Sequence, residues 1–406
     1  MNATMQRSKG RLFPIAFALT VTSLLAPLGL TGCGDDSSSP DPTPSVECGD
    51  PGTICTYAGI GSAQYSGDGG PPEEAGFYFP IDIEFVSTGD AYILDWNNHA
   101  VRKVENGIVR TVMGVTTGFP GDGPDDQSDL TLPGAIGTTV HLNHPTQLME
   151  LEDGTILLSA WHNHKLRTYD PVTERVLVVC GAGASFAGDG GPSRDALLSQ
   201  PQCTIADANG DWYILDQRNQ RVRKISMDTE TIDTVVGTGT PGFGGDGGSP
   251  LGAMLHFDTG GNPAPSGALT FGPDGRLYIS DTLNHRIRRV DFQADEIVTI
   301  AGTGVNGYNG DGIQATEAQL NYPKDLIFGP DGRLYVADDR NHRVRAIDVS
   351  TGVIETVAGT GVRGYNGDGI LATEAQLNRP MGLEFDANGD LYIADWENNR
   401  IRKVTF

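Results

Sequence analysis

Acidic and basic side chains that could do chemistry stand just behind prolines that open β-like runs of the chain. Asp82 lies two residues after Pro80, and Lys324 and Asp325 directly follow Pro323. Two carboxylates and an amine could bind a metal ion or act as general acid and base. The same residues could also be scattered polar positions bridged by water, and the pattern alone leaves both alternatives open.

Histidines are concentrated in one short stretch of the chain. His141 and His144 flank Asn143, and His162 lies in the following turn. Because imidazole is a good ligand for zinc and copper, these three histidines are candidates for a metal site. Four others occupy one position of a repeat and are interpreted as turn residues: His99, His164, His285 and His342.

Four of the five cysteines are candidates for disulfides if the chain is exported to an oxidising compartment. Cys48 and Cys55 lie close enough in sequence to join an N-terminal tether to the first predicted strand. Cys180 ends a predicted outer strand and Cys203 begins a predicted inner one. These two are the remaining possible pair.

A repeated scaffold must position these side chains, because six similar segments follow one another along the chain. Intervals of 56 to 65 residues separate their first residues, which is too long for a leucine-rich or helical-pair solenoid. The segments are Asp95–Arg102, Ala160–Arg167, Asp216–Arg223, Asp281–Arg288, Asp338–Arg345 and Asp395–Arg402.

Each repeat unit contains four short β-like runs, which we name strands a to d. The fifth unit shows them most clearly, and a Gly-containing hairpin signal separates strands a and b in every unit. The 55 glycines and 24 prolines agree with many tight turns. Four strands with tight turns, repeated radially, predict an all-β fold that is a six-bladed β-propeller.

The two ends of the repeat region predict how the propeller closes. The last unit ends at Phe406 after strand c, whereas Thr53–Gly59 is similar to the strand d segment Glu355–Gly359. We therefore predict that the N-terminal strand completes the C-terminal blade, within one domain covering residues 53–406. This closure removes a free sheet edge.

In such a propeller the first residues of strands a line the mouth of a central channel. Asp82, Gln147, Lys324 and Asp325 are the candidate ligand-binding residues at this mouth. The register of the fourth unit is uncertain by one residue. The predicted inner ring is Asp82, Gln147, Cys203, Gly267, Asp325 and Gly382.

The pattern Tyr-Ile-Ala-Asp-x-x-Asn-His-Arg-Ile-Arg resembles the NHL repeat across the folded region. Ala160 replaces the Asp in unit two, and Gln220 and Asn399 replace the His in units three and six. NHL propellers include protein- and RNA-binding modules, sensor domains and lyases. The resemblance thus implies the fold but does not choose a function.

A Gly-Asp-Gly loop precedes strand a in every unit. Its aspartates and the turn aspartates such as Asp281 are predicted to lie towards one face. They could bind calcium or form an acidic docking face. We favour a structural role, in which each loop Asp accepts N–H bonds of its own turn and each turn Asp meets the Asn of its turn or an arginine such as Arg288. The loop residues are Asp68, Asp122, Asp189, Asp246, Asp311 and Asp368.

The N-terminal segment carries targeting information. Residues 1–32 are basic and then apolar, and they end in Leu30-Thr31-Gly32 before Cys33, which resembles the lipobox of bacterial lipoproteins. The resemblance implies a cleaved signal peptide and palmitate-type acylation of Cys33. Residues 33–52 then form a flexible tether. Gly34, rather than Asp, after the cysteine favours the outer membrane over the inner one.

Charge and composition limit the possible functions. The chain has 28 Lys and Arg against 52 Asp and Glu, a net charge of −24, which argues against nucleic acid as a partner. We predict a lipid-anchored, monomeric envelope protein, periplasmic or surface-exposed, that binds a protein, peptide or glycan without catalysis and without a required cofactor. The alternative is a metal-dependent lyase or lactonase at the channel mouth. By resemblance, a zinc lyase of the NHL type would take one histidine from each of three different strands a. This sequence does not supply those histidines, which argues against a zinc lyase.

Overall fold

A computed structural model describes residues 48–115, 129–260 and 263–406. Six antiparallel sheets form the blades of a β-propeller, so the predicted all-β, six-bladed fold is confirmed. Within each blade the strands follow the order a, b, c, d from the channel outwards. A short additional strand before strand a pairs with strand d in four of the six sheets.

The strands of blades one to three begin at Pro80. Blade one contains β2 (Pro80–Phe85), β3 (Ala91–Asp95), β4 (Ala100–Glu105) and β5 (Ile108–Met113). Blade two contains β6 (Ala135–Ile136), β7 (Gln147–Glu150), β8 (Ile156–Ala160), β9 (Lys165–Asp170) and β10 (Arg175–Cys180). Blade three contains β11 (Gly191–Pro192), β12 (Pro201–Ala206), β13 (Trp212–Asp216), β14 (Arg221–Ser226) and β15 (Thr231–Val236).

The strands of blades four to six continue the pattern. Blade four contains β16 (Leu269–Phe271), β17 (Leu277–Asp281), β18 (Arg286–Asp291) and β19 (Glu296–Ala301). Blade five contains β20 (Ile313–Gln314), β21 (Pro323–Phe328), β22 (Leu334–Asp338), β23 (Arg343–Ile347) and β24 (Val353–Ala358). Blade six contains β25 (Ile370–Leu371), β26 (Pro380–Phe385), β27 (Leu391–Asp395) and β28 (Arg400–Val404).

The N-terminal strand closes blade six, as predicted. Strand β1 (Thr53–Ala58) lies between β25 and β28, with Ile54 opposite Val404 on one side and Ile370 on the other. Ile54 is fully buried in the apolar core of this blade. The first and last segments of the domain are therefore held in the same sheet.

Short 3-10 helices form two sets of turns on the face where strand d leads into the next strand a. One set precedes strand a: Pro72–Glu74, Gly137–Thr139, Ser193–Asp195, Pro250–Gly252, Ala315–Glu317 and Ala372–Glu374. The other joins strand b to strand c: Trp96–Asn98, Trp161–Asn163, Gln217–Asn219, Thr282–Asn284, Asp339–Asn341 and Trp396–Asn398. We name this face the loop face. In the part of the chain that the structure describes, no helix is long and apolar enough to span a membrane.

Candidate functional site

The six strands a bring their first residues around a narrow central cavity. This cavity has a volume of about 40 Å³, and all four candidate residues, Asp82, Gln147, Lys324 and Asp325, line it. The other residues of its lining are Ile81, Thr146, Gln202, Cys203, Gly267, Ala268, Met381 and Gly382. The propeller topology thus brings together side chains such as Asp82 and Asp325, which lie more than two hundred residues apart in sequence.

Blade four departs from the predicted ring by one residue. Leu269 pairs with Ile279, whereas Leu326 of blade five pairs with Val336. Ala268 rather than Gly267 therefore takes the place equivalent to Asp325, and the predicted register is wrong here. Gly267 has a left-handed φ of +89°, and Ala268 lies three residues after Pro265, whereas Asp325 lies two after Pro323.

Channel side chains connect neighbouring blades at three junctions. A carboxylate or amide oxygen accepts a hydrogen bond from a backbone N–H of the following blade at three junctions: Asp82 from Leu148 at 2.9 Å, Gln147 from Thr204 at 3.0 Å, and Asp325 from Leu383 at 2.7 Å. Because these bonds satisfy buried N–H groups, the candidate residues hold blades together as well as lining the cavity.

Channel carboxyls, buried in Asp82 and half-buried in Asp325, Glu84 and Glu384, are shifted towards their neutral form. Burial raises the pKa of Asp82 well above its usual range, and repulsion from Asp325 adds to the shift. Burial raises the pKa of Asp325 to about 6. Deeper in the channel, burial raises the pKa of Glu84 to about 7 and that of Glu384 well above its usual range. Raised carboxyl pKa values of this kind follow from desolvation of the charged form.

Lys324 is the cation of the cavity lining. It is buried, and its ammonium group donates a hydrogen bond to the carbonyl of Pro265. Burial lowers the pKa of Lys324 to about 8, while attraction to Asp339 opposes that shift. The amine is thus directed away from the channel carboxyls, and no acid–base pair with Asp325 is formed.

The histidine cluster differs from the predicted one. The Nδ1 atoms of His144 and His162 are 3.1 Å apart, and the His144 ring lies 4.3 Å from that of His99 between centroids. His141 contributes its backbone carbonyl to Arg167 instead. Burial, and then the neighbouring His99 and His162, lower the pKa of His144 to about 3.

The predicted metal site of His141, His144 and His162 is therefore not assembled. Among the residues that the structure describes, no group of three or more His, Cys, Asp or Glu side chains is arranged to hold a metal ion. The close His144–His162 pair is instead packed against aromatic rings, with Trp96 at 4.2 Å from His144 and Trp161 stacked at 4.0 Å on His162.

Tryptophans occupy one side of the channel mouth on the loop face. Trp96, Trp161 and Trp396 begin the b-to-c turns of blades one, two and six, and the Trp96 ring lies 5.8 Å from Trp396 and 6.3 Å from Trp161. Trp161 is fully buried and donates its indole N–H to Gln217 at 3.0 Å. Within residues 48–115, 129–260 and 263–406, the buried indole nitrogens of Trp96 and Trp396 have no hydrogen-bond partner.

Charged residues occupy the other side of the mouth. Arg379 forms ion pairs with Asp339 at 2.8 Å and with Glu397 at 3.2 Å. Its guanidinium carbon also lies 4.6 Å from the ring centre of Trp396. The mouth therefore joins an aromatic wall on blades six, one and two to an ionic network on blades five and six.

The repeated aspartates bind repeated arginines. The loop aspartates contact the final arginine of each segment: Asp68–Arg102 at 2.6 Å, Asp189–Arg223 at 2.6 Å, Asp246–Arg288 at 2.6 Å, Asp311–Arg345 at 2.8 Å and Asp368–Arg402 at 3.0 Å. The turn aspartates, for example Asp281, contact the same arginine and the Asn of their turn, as predicted. The expectation that each loop aspartate accepts backbone N–H bonds of its own turn is wrong for the described loops. Their aspartates bind the arginine, and Asp68, Asp311 and Asp368 also accept a tyrosine hydroxyl of the same loop.

In blade two the repeated arginine pairs with a different acidic residue. Arg167 pairs with the buried Asp129 at 2.8 Å, and Asn163 replaces the missing turn carboxylate at 3.1 Å. Asp122, the predicted loop residue, lies outside the described residues, and so does Cys33.

The cysteines fall into two groups. Cys48 and Cys55 form a disulfide that links the start of the described chain to β1. Cys180 and Cys203 are buried free thiols, so the possible pair between them is not formed. They are kept apart because Cys180 lies on the outer strand of blade two, whereas Cys203 lines the central cavity.

Comparisons with known proteins agree with this architecture. The NHL repeat family matches residues 320–347 and 377–404. The chain is 28% identical over 306 residues to Protein SUPPRESSOR OF QUENCHING 1, chloroplastic, of Arabidopsis thaliana, covering 72% of this chain and 27% of the relative. It is 26% identical over 328 residues to NHL repeat-containing protein 2 of Bos taurus, covering 72% and 43%. The chain thus spans less than half the length of these relatives.

A solved structure shows the same fold. The crystal structure of an auxiliary nutrient binding protein from Bacteroides ovatus superimposes with a TM-score of 0.60 at 19% identity, covering 86% of this chain and 76% of that chain. A likeness at this identity concerns the fold alone. The chain therefore contains NHL repeats on a six-bladed β-propeller.

Proposed function

We propose that this protein is a non-catalytic binding module of the bacterial cell envelope, which engages a protein, peptide or glycan at the channel mouth of its loop face. The observation that carries the proposal is the asymmetry of this mouth. Trp96, Trp161 and Trp396 stand where the other blades have Gln217, Thr282 and Asp339. A feature confined to three blades is not needed by the repeat itself.

The composition of the mouth suits recognition. Tryptophan and arginine are enriched at the energetic centres of interfaces, because each offers a large contact area together with hydrogen-bond donors. Trp96 is partly exposed, and its buried indole N–H has no partner in the described part of the chain. Arg379 extends the surface with a guanidinium that stacks on Trp396.

The cavity chemistry supports binding over catalysis. Burial raises the pKa of the Cys203 thiol above its usual range, which disfavours the thiolate nucleophile. The alternative, a metal-dependent lyase or lactonase, needs a ligand set that the described residues do not assemble. The channel carboxylates are engaged by backbone N–H groups of neighbouring blades.

Binding at the mouth is tested with peptide and glycan arrays probed by the wild type, Trp96→Ala and Val362→Ala. Val362 is a control because it is 57% exposed in the loop before strand a of blade six and carries no polar group. We expect a ligand class that binds wild type and Val362→Ala and is lost with Trp96→Ala. Equal binding by all three proteins, or none by the wild type, would contradict the proposal.

Membrane attachment is a separate part of the proposal, supported by the lipobox-like sequence before Cys33. We expect Cys33→Ala to release the protein from washed membranes, because acyl chains on this residue provide the attachment. Cys48→Ala is the matched control and should stay with the membranes. Density separation of outer and inner membranes then tests the expected outer location. Retention of Cys33→Ala in the membrane fraction would contradict the anchor.

A further inference from the structure

The channel interior carries carboxyl groups in two layers. Asp82 and Glu84 are two residues apart on β2, so their side chains lie on the same side of the strand, separated along it by roughly 6–7 Å. Asp325 lines the cavity with Asp82. Glu384 stands two residues after the cavity-lining Gly382 on β26 and therefore lies in the deeper layer with Glu84.

After burial, repulsion from Asp325 and Glu84 raises the pKa of Asp82, whereas the charged neighbour of Glu84 is Glu150, whose N–H also bonds the Glu84 carboxyl at 3.0 Å. Glu84, Asp82 and Asp325 are the charged neighbours that raise the pKa of Glu384. The ammonium group of Lys324 is bonded to a backbone carbonyl, and the acids that act on it are Asp339 and Asp258. The lysine that lines the same cavity therefore does not neutralise the negative charge of the two carboxyl layers.

An amide oxygen in the lining of the same cavity is a second, independent feature that favours a ligand with a hydrogen-bond donor. Gln202 lines it, is only 8% exposed, and its Oε1 atom is buried without a hydrogen-bond partner among the residues that the structure describes. A buried carbonyl oxygen without a donor is unfavourable, and it gains stability when a ligand supplies one. This observation does not depend on the carboxyl pairs.

The apolar part of the cavity lining indicates whether a metal ion or an organic cation would fit. Ile81, Met381 and Ala268 present apolar groups between the polar ones. The described residues contain no group of three acidic, His or Cys side chains that converge on one point, as a metal ion requires. Carboxyls spread over two layers, with apolar walls between them, fit positive charges that are separated by methylene groups.

We propose that the channel binds a linear alkyl diammonium or polyammonium cation. One ammonium group lies between Asp82, Asp325 and Gln202, the methylenes lie against Ile81 and Met381, and a second ammonium group lies at the Glu84 and Glu384 layer. A four-carbon diamine separates its charges by about the spacing of the two layers. This site is formed by the channel lining and is distinct from the surface of Trp96, Trp161, Trp396 and Arg379 in the proposed function.

Isothermal titration of the full domain with putrescine tests the proposal, with 1,4-butanediol and calcium chloride as comparison ligands. Salt at about 0.15 M suppresses weak attraction to the acidic surface. We expect one diamine per chain, no binding of the diol, and release of protons on binding, because channel carboxyls ionise when the cation arrives. Buffers with different ionisation enthalpies measure that release.

Variants locate the diamine in the channel. Glu384→Gln and Asp325→Asn should each weaken binding about tenfold or more. Asp233→Asn removes one exposed charge from outer strand β15 and should leave binding unchanged. Equal weakening by Asp233→Asn, stoichiometric binding of calcium without diamine, or binding of the diol would overturn the proposal. If the channel variants do not fold, binding without proton release in the wild type would overturn it.

Discussion

The Nδ1 atom of His285 accepts a hydrogen bond from the backbone N–H of Tyr322 at 3.2 Å. His285 ends the b-to-c turn of blade four, and Tyr322 immediately precedes strand a of blade five. Both residues have left-handed backbones, with φ of +53° and +57°. The bond therefore ties two adjacent blades together at the loop face.

The same bond recurs at every junction between blades, which explains the departures from the histidine of the repeat. Gln220 and Asn399 offer an amide oxygen in place of the imidazole nitrogen. The equivalent pairs are His99 with His144 at 3.1 Å, His164 with Gln200 at 3.1 Å, Gln220 with Phe257 at 2.8 Å, His342 with Arg379 at 3.2 Å, and Asn399 with Phe79 at 3.0 Å.

The first prediction concerns this bond. We expect His285→Gly to lower the free energy of unfolding by about 1 kcal/mol or more, because the N–H of Tyr322 loses its acceptor. Glycine adopts the left-handed backbone easily, so the loss is not confused with backbone strain. His285→Asn, which copies Asn399, should retain most of the stability. Urea unfolding measures both variants, and equal stability of His285→Gly and wild type would contradict the role.

The second prediction is a pH dependence caused by Asp325. Its pKa in the folded protein is about 6, above the usual value of 3.8. Between these values the unfolded chain has lost the proton that the folded chain retains, so this group lowers stability as pH rises from about 4 to 6. Above pH 6 its contribution is constant, and the total loss is on the order of 3 kcal/mol.

Asp325→Asn removes this titration, and its amide oxygen can still accept the N–H of Leu383. We expect the variant to gain stability relative to wild type as pH rises through that window. Denaturant unfolding at pH 4, 5, 6 and 7 measures the difference. Asp233→Asn, on an exposed strand position, should show no such gain. A constant difference between Asp325→Asn and wild type at all four pH values would contradict the assigned cause.

The third prediction concerns the Gly-Asp-Gly loops and calcium. Asp311 already binds Arg345 at 2.8 Å, and its second oxygen accepts the hydroxyl of Tyr308 at 2.8 Å. We therefore expect no rise in the melting temperature of the wild type in millimolar calcium. Asp311→Asn should cost at most about 1 kcal/mol, because the Asp311 side chain is partly exposed to solvent. A calcium-dependent rise in melting temperature that shrinks in this variant would make the loops cation sites.

The sequence predicted local features well and long-range partners poorly. The spacing of the segments and the Thr53–Gly59 similarity predicted six blades and their closure, because both depend on patterns within one unit. The bond from His285 to Tyr322 and the ion pair of Asp246 with Arg288 join residues 37 and 42 positions apart. Such partners depend on how turns and strands that are distant in sequence meet in space.

Two further differences have local causes. The left-handed Gly267 shifted the register of blade four, because glycine adopts this conformation without a sequence pattern that announces it. The candidate ligand His141 does not join His144 and His162, and its backbone carbonyl instead accepts a hydrogen bond from Arg167. His99, one blade away, takes the place near His144 that His141 was expected to fill.

The last prediction tests the closing strand with a matched pair of core residues. Ile54 of β1 pairs with Val404 and Ile370, and Ile354 of blade five pairs with Ile347 and Ile313 in the same way. Both isoleucines are fully buried. If β1 is an integral strand of blade six, Ile54→Ala and Ile354→Ala should each cost about 2–5 kcal/mol, because each leaves a cavity in a sheet interface.

Deletions extend the test to the whole strand. Removing residues 53–61 takes away β1 and exposes the edge of β28, so we expect a much lower melting temperature and aggregation. Removing residues 34–47 leaves Cys48, Cys55 and β1 in place and should not change the melting temperature of the propeller. Equal melting temperatures for the two deletions, or an Ile54→Ala cost far below that of Ile354→Ala, would show that β1 is only loosely attached. Thermal unfolding followed by far-UV circular dichroism distinguishes these outcomes, because the loss of one strand from a closed propeller weakens all six blades together.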